Sequence, residues 1–217
     1  MLRHLWIVLA VLLSEPCYAG VYLEGGVGIA YLQRTVYDGT WYQQQFPHSF
    51  DLKEHAWRVV LGYNITPQWA IQAGVVSLGA AKVTAEYVAD EDYDQIKHVC
   101  TANCNTRQTL IASDSLRVYE VTIKRMFQYG DWTPYLRAGP ALMTHRLTVN
   151  VQNSPAAAYQ TYGRIPTVVA AGGLCYGMIC GEVAYYRGLG GMDCLTPCRW
   201  PIAKEAILPS VSIHWEF

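Results

Sequence analysis

The C-terminal segment Ile207 to Phe217 is the part of this chain that most constrains its fold. Every second residue is apolar, from Ile207 through Trp215 to Phe217, and the intervening positions after Leu208 carry serine, histidine and glutamate. A period of two is that of a β-strand whose two faces meet unlike surroundings. The pattern predicts a final strand with one face in an apolar medium, although a half-buried strand of a water-soluble sheet would share it.

The N-terminal segment has the pattern of a secretory signal peptide. An unbroken apolar run, Leu5 to Leu13, follows basic residues and precedes a short segment that ends at Ala19. We predict cleavage after Ala19, which leaves a signal peptide, residues 1–19, and one domain, residues 20–217. Cys17 could mark a lipoprotein instead, but the residues before it are not the small ones that such a site needs.

Composition narrows the class of protein. The chain has 16 basic and 17 acidic residues in 217, and this near-neutral charge offers no basic surface for nucleic acid. After the signal peptide, no apolar run reaches the ~18 residues that a membrane-spanning helix requires. The nearest run, Val168 to Cys180, is broken by glycines. If the chain crosses a membrane, it must do so as a closed barrel, which pairs every backbone polar group.

Alternating segments recur along the mature chain and predict eight strands. Their bounds are about 20–33, 51–64, 68–82, 115–128, 132–150, 160–175, 178–190 and 207–217. Connections after even-numbered strands are short, whereas most of those after odd-numbered strands are long, and these include Arg34 to Phe50, Val83 to Asp114 and Gly191 to Pro201. Alternation of short turns with long loops is typical of outer-membrane barrels, whose short turns face the periplasm.

Aromatic residues cluster at the short-turn ends of these strands. The predicted interface anchors are Trp69, Trp132, Trp215 and Phe217. A ring suits a membrane interface because its body lies in the apolar layer and its polar edge reaches the headgroups. Strand propensity alone would explain aromatic residues on strands but not their clustering at one end.

The hairpin sequences Leu61 to Gly79 and Thr133 to Leu142, together with the aromatic C-terminus, resemble the OmpA-type family of small outer-membrane β-barrels. The resemblance covers essentially the whole mature chain. It implies an all-β fold, an eight-stranded antiparallel transmembrane up-and-down β-barrel, in the outer membrane of a Gram-negative bacterium. It also implies that Phe217 helps the barrel assembly machinery to recognise the chain, and that internal charges form a network.

Alternation places charged side chains on the rows that would face the barrel interior. These residues are Glu24, Glu54, Arg58, Glu120, Lys124, Arg137, Glu182 and Glu216. The interior of an eight-stranded barrel is just wide enough for side chains, so mixed charges there should form ion pairs. We expect Glu24 near Arg58, and Lys124 near Arg137 or Glu120. A filled interior predicts a barrel that does not conduct ions freely.

Six cysteines of the mature chain fall into local pairs. The candidate disulfides are Cys100 with Cys104, Cys175 with Cys180, and Cys194 with Cys198. Disulfides are the default in an exported protein, although cross-pairing of the two loop pairs stays open. A zinc site would need all four loop thiolates from two loops, so we expect no metal and no cofactor.

Two other classes of function remain as alternatives. Asp38 to Tyr42 resembles the first motif of the lipocalins, which would make the chain a secreted carrier of an apolar small molecule. His145 and His214, the latter close to Ser212, are loose catalytic candidates for an outer-membrane lipid-modifying enzyme, but no motif of such enzymes is present. The favoured function is non-enzymatic: adhesion, host contact or envelope integrity through surface loops, with outer-membrane lipid and an extracellular surface as partners.

Overall fold

The structure is a computed structural model that describes residues 20–35, 48–51, 53–88, 107–151, 159–189, 193–194 and 202–217. The strands of this part are β1 (Val21–Thr35), β2 (His48–Asp51), β3 (Lys53–Thr66), β4 (Trp69–Val88), β5 (Arg107–Met126), β6 (Trp132–Val151), β7 (Tyr159–Tyr176), β8 (Ile179–Gly188), β9 (Asp193–Cys194) and β10 (Ile202–Glu216). Within the same ranges, no helix is long and apolar enough to span a membrane.

Eight of the strands close into an antiparallel barrel. The order around the barrel is β1, β3, β4, β5, β6, β7, β8 and β10, and β10 pairs back with β1. The closing pair runs from Tyr22 opposite Glu216 to Thr35 opposite Ile202. The short strands β2 and β9 pair with β4 and β7, where they continue β3 and β8 past interruptions. The predicted eight-stranded antiparallel barrel is confirmed.

The outer face of the wall is apolar and the inner face carries charged side chains, which is the reverse of a water-soluble protein. On β3, Leu61 is 55% exposed on the outside, whereas Arg58 is 1% exposed on the inside. A buried arginine beside an exposed leucine is the reverse of the usual preference in water. The arrangement fits a wall that is surrounded by lipid. It is also the opposite of what a carrier of apolar molecules needs, which argues against the lipocalin alternative.

The strands are longer than the sequence predicted at the long-loop end. Val83 to Asp114 was expected to be a loop, but β4 continues to Val88 and β5 begins at Arg107, with Val83 opposite Ala112. Polar residues can extend a strand beyond the apolar band, because the backbone ladder continues after the hydrophobic alternation has ended. Parts of the other two predicted loops are likewise the strands β2 and β9, and β10 begins at Ile202.

A β-bulge in β4 changes which residues face inward. The register shifts between Ser77 and Gly79, and Gly79 has a φ of 85°, a conformation that favours glycine. Leu78 at the bulge and Ala81 beyond it are both buried in the interior, and Lys82 lies outside. The alternation read from the sequence therefore fails at this bulge.

Several predictions fall outside the described residues. They concern the signal peptide, the segment Asp38 to Tyr42, and the cysteines Cys100, Cys104 and Cys198.

Candidate functional site: the barrel interior

Six charged side chains meet in the interior of the lower half of the barrel, which is the half nearer the short turns. We call them the ionic cluster, and they are Glu24, Arg58, Glu120, Lys124, Arg137 and Glu182. All six are buried, and they come from five strands. Three carboxylates face three cations, so the formal charge of the cluster cancels. Burial of these charges is tolerable only because each has an oppositely charged partner.

Glu182 is the centre of the ionic cluster. Its carboxylate accepts hydrogen bonds from Nε and Nη2 of Arg137, each at 2.8 Å, in a bidentate arrangement. Nη1 of Arg58 and the hydroxyl of Tyr135, the latter at 3.0 Å, donate to the same carboxylate. Arg137 extends the network by donating from Nη1 to Glu120 at 2.8 Å. Bidentate, charge-assisted bonds of this kind are the strong class in proteins.

Glu24 forms the second centre of the ionic cluster. Its carboxylate lies 3.4 Å from Nη2 of Arg58 and 3.5 Å from Nζ of Lys124, and Ser212 donates to it at 2.8 Å. The expected neighbourhood of Glu24 and Arg58 is thus present. Nζ of Lys124 also lies 4.0 Å from the ring centroid of Tyr135, a cation–π contact.

Lys124 lies beside Arg137, as expected, but its ion pair is with another residue. The register does place Lys124 beside Arg137, but the ion pair of Lys124 is with Glu24, while Arg137 pairs with Glu120 and Glu182. Adjacent like charges repel, and the narrow interior lets a long side chain reach a carboxylate on a strand that is not its neighbour.

Two of the predicted interior carboxylates lie outside the ionic cluster. Glu216 is near the short-turn end, with its side chain 66% exposed, where it contacts Nε2 of His214 at 3.3 Å and accepts from Asn64 at 3.4 Å. The strand ends there, so the wall no longer encloses an inward-facing side chain. Glu54 is partly buried towards the long-loop end, two inward positions beyond Arg58.

Above the ionic cluster, most of the buried interior side chains are apolar. We call this the apolar layer, and its larger members are Leu32, Leu78, Leu116, Val118, Met143, Ile165, Val169 and Leu208. Alanines fill the space between them. The sequence interpretation missed this layer, although its residues occupy the same alternating rows as the charged ones. Their parity, meaning their odd or even position along each strand, was the signal that could have identified them.

Tyrosine rings complete the ionic cluster, and glycines on the wall make room for them. The ring of Tyr22 lies across Gly62, where a β-carbon would overlap it, and Tyr135 covers Gly173 in the same way. Both rings also face Lys124. The tyrosines were not among the predicted site residues, although their inward parity is visible in the sequence.

The histidines do not form the catalytic arrangement considered from the sequence. Ser212 donates to Glu24 and not to His214, whose ring lies against Tyr22 with a centroid distance of 4.3 Å. His145 is buried in the upper interior, where its Nδ1 lies 2.9 Å from a carboxylate oxygen of Asp114. Among the described residues, no group of three or more metal-ligating side chains is present.

The short-turn end carries the predicted aromatic residues and one disulfide. Trp69, Trp132, Trp215 and Phe217 are all exposed on the outside, Phe217 to 82%. Cys175 and Cys180 face each other across the β7–β8 hairpin and are joined, so this predicted disulfide is confirmed. The side chain of Cys194 is not among those described.

No family model matches the chain, and no curated protein matches it. Solved structures with a similar architecture are Neisserial surface protein A (12% identity, TM-score 0.46, 91% of this chain and 97% of that one), the attachment invasion locus protein Ail of Yersinia pestis (9%, 0.44, 92% and 100%), and OprG of Pseudomonas aeruginosa (10%, 0.44, 92% and 96%). At these identities the likeness concerns the architecture and leaves individual residues without assigned roles.

The class of protein follows from the features of the barrel. A closed antiparallel barrel with a lipid-compatible outside, ion pairs inside and aromatic residues at its short-turn end has the features of barrels from the outer membrane of Gram-negative bacteria. The resemblance to the OmpA type noted from the sequence is therefore confirmed for the fold. The chain is a small eight-stranded outer-membrane β-barrel protein.

Proposed function

We propose that this barrel is non-enzymatic and acts at the cell surface, in adhesion, host contact or envelope integrity, through its long-loop end. The observation that carries the proposal is the height of the wall formed by β4, β5 and β6. Each of these strands has 20 residues. At ~3.3 Å per residue and a tilt of ~40°, such a strand rises about 50 Å, whereas the apolar band of a membrane barrel is only ~25 Å tall.

The excess height supports a paired hairpin that projects from the membrane. β4 and β5 remain in register up to Val88 opposite Arg107. On the outside of β5, the side chains change from Val121 and Tyr119 to Ser115 and Ser113 in the upper part. This polar upper hairpin would present its outer face above the lipid, where a partner could reach it.

The filled interior supports a role other than transport. The ionic cluster and the apolar layer lie one above the other along the barrel axis. An eight-stranded barrel packed with side chains leaves no aqueous channel. Function at the loops is then favoured over passage through the barrel.

The remaining proposals concern export and assembly. Residues 1–19 would be removed as a signal peptide, and Phe217 would contribute to recognition by the barrel assembly machinery. Phe217 supports this role because its side chain is exposed while its amide donates to Val21 at 2.9 Å, so the ring is displayed from a fixed strand end.

The experiment shortens the projecting hairpin. Residues 84–111 are replaced by a two-residue Asn-Gly turn that joins Val83 to Ala112, since these residues are opposite each other. A matched variant keeps both strands and replaces only residues 89–106 with a neutral linker. Both are tested for cell attachment and for entry of bulky antibiotics, after heat-modifiable mobility has shown that they fold. Wild-type attachment and barrier function in both folded variants would contradict a surface role for this hairpin.

A further inference from the structure

Gly20 lies at the short-turn end of the seam where the last strand closes on the first. The amide of Phe217, just after β10, donates to the carbonyl of Val21 in β1 at 2.9 Å. On the other side of β1, the amide of Asn64 in β3 donates to the carbonyl of Gly20, also at 2.9 Å. The backbone of Gly20 is therefore held in place between the ends of β3 and β10.

Glu216 is an acidic residue at this end of the seam. Its Oε1 lies 3.3 Å from Nε2 of His214 and 3.4 Å from Nδ2 of Asn64. In the part of the chain that the structure describes, no lysine or arginine forms an ion pair with Glu216. The three cations of the ionic cluster have carboxylates of their own. The Glu216 carboxylate can therefore accept a further cationic donor.

A second acceptor beside Gly20 lacks a hydrogen-bond partner. Oδ1 of Asn64 is buried and accepts no hydrogen bond from any described residue. A β-carbon built on Gly20 would lie 3.7 Å from Nδ2 of the same amide. Gly20, Asn64, His214 and Glu216 all line the cavity at the short-turn mouth of the barrel. A cationic donor attached to Gly20 would thus have two acceptors within its reach.

The predicted cleavage after Ala19 would create such a donor. Hydrolysis of the Ala19–Gly20 peptide bond consumes one water, leaves a carboxylate on Ala19 and places an amine on Gly20. An α-amine is mostly protonated at neutral pH, so it carries a positive charge and, like a lysine ammonium, three N–H donors. Before cleavage, the same nitrogen is a neutral amide with a single N–H.

We propose that signal-peptide cleavage completes the closing seam, because the new α-ammonium of Gly20 forms an ion pair with Glu216 and donates to Oδ1 of Asn64. The ion pair would join β1 to β10, and the uncleaved chain would lack it. The side chain of Glu216 is 66% exposed, so the pair belongs to the weak class. The inference rests on the predicted cleavage site and not on the surface role of the β4–β5 hairpin.

The test uses the protein as it is extracted from outer membranes. Its intact mass must first show a chain that begins at Gly20, and a different first residue would overturn the proposal. The chain is then unfolded and acetylated in mildly acidic buffer, where the α-amine reacts before the more basic lysine side chains. Acetylated and unmodified chains are refolded in micelles, and their unfolding equilibria are compared in urea.

The response to acetylation should depend on Glu216. In wild type, acetylation should raise the equilibrium constant of unfolding about threefold, which is the size expected for an exposed ion pair. In Glu216→Gln, acetylation should have no further effect. The control Asp131→Asn removes an exposed carboxylate from another short turn and should keep the threefold response. Equal responses of wild type and Glu216→Gln, or no response of wild type, would overturn the proposal.

A second variant moves the charge instead of removing it. One serine inserted between Ala19 and Gly20 leaves, after cleavage, an α-ammonium that is one residue farther from Glu216. This chain should unfold about threefold more readily than wild type, and acetylation should change it no further. Wild-type stability of the inserted chain would contradict the proposed pair, and this comparison also decides the matter if Glu216→Gln does not fold.

Failure of this inference and failure of the surface role are distinguishable. Replacement of residues 84–111 removes the projecting hairpin at the opposite end of the barrel and keeps Gly20, Asn64 and Glu216. That variant should respond to acetylation as wild type does, whatever its attachment to cells.

Discussion

Replacing Glu182 with glutamine tests the ionic cluster most directly. Glu182 is buried and receives hydrogen bonds from both Arg137 and Arg58. The substitution keeps the shape of the side chain but removes its charge, so the balanced cluster is left with one excess positive charge. We expect Glu182→Gln to lower the free energy of unfolding substantially, because the three buried cations of the cluster then share only the two carboxylates of Glu24 and Glu120.

The expected loss of unfolding free energy follows from the burial of the cluster. Loss of one partner from a buried ion pair typically costs about 3–5 kcal/mol, since the remaining charge stays in the interior uncompensated. Glu205→Gln is the matched control, because Glu205 also pairs with an arginine, Arg187, but at 3.8 Å and with side chains 33% and 63% exposed. Exposed pairs contribute roughly 0–1 kcal/mol. The two Glu→Gln substitutions should therefore differ several-fold in the loss of unfolding free energy that they cause.

Equilibrium unfolding in urea measures the difference. The protein is folded in micelles and followed by tryptophan fluorescence and by heat-modifiable mobility, and the slope of unfolding free energy against urea should stay the same for all variants. A Glu182→Gln variant that loses no more stability than Glu205→Gln would refute the reasoning that the buried charges depend on one another.

Four other predictions can be tested with the same preparations. Gly62→Ala should destabilise the barrel by about 1–3 kcal/mol, because its methyl group would overlap an inward tyrosine ring, whereas Gly181→Ala, with open space around it, should have little effect on urea midpoints. Non-reducing peptide mapping should recover the Cys175–Cys180 link, and Cys175→Ser should cost about 2 kcal/mol for so short a loop. Deletion of Phe217 should reduce folded protein in outer membranes but not refolding in micelles, and equal membrane levels at native expression would oppose an assembly role. Planar bilayers with wild-type protein should show no stable large channels, and their appearance would contradict the filled interior.

The alternation of apolar and polar residues was sufficient to predict the wall of the barrel. Val59 and Leu61 point outward and Arg58 points inward, as their parity indicates. Parity is reliable here because the two sides of the wall meet lipid and packed side chains, so a slip by one residue would place charges in lipid. The bulge before Gly79 breaks the pattern, and its position depends on backbone geometry that composition does not specify.

The partners inside the barrel could not be predicted in the same way. Alternation assigns a side chain to the interior but gives neither its direction nor its reach. It placed Lys124 beside Arg137 correctly, but it could not show that the Lys124 side chain reaches Glu24. The apolar layer was missed for a related reason. Charged residues attract notice on an inward row, while Leu116 and Val118 on the same row resemble an ordinary strand, although they fill the same interior.

The origin of the ionic cluster in distant parts of the chain has a kinetic consequence. Arg58 and Glu182 are separated by 124 residues, and Glu24 and Ser212 by 188. These contacts can form only when the last strand meets the first, so an unclosed sheet in the membrane holds Arg58 without Glu182 and Glu24 without Ser212. We expect the cluster to form after the rate-limiting step, in which case Glu182→Gln should accelerate unfolding more than it slows folding in denaturant-dependent kinetics. The charges that make a partly formed barrel costly would then be those that slow the opening of the finished one.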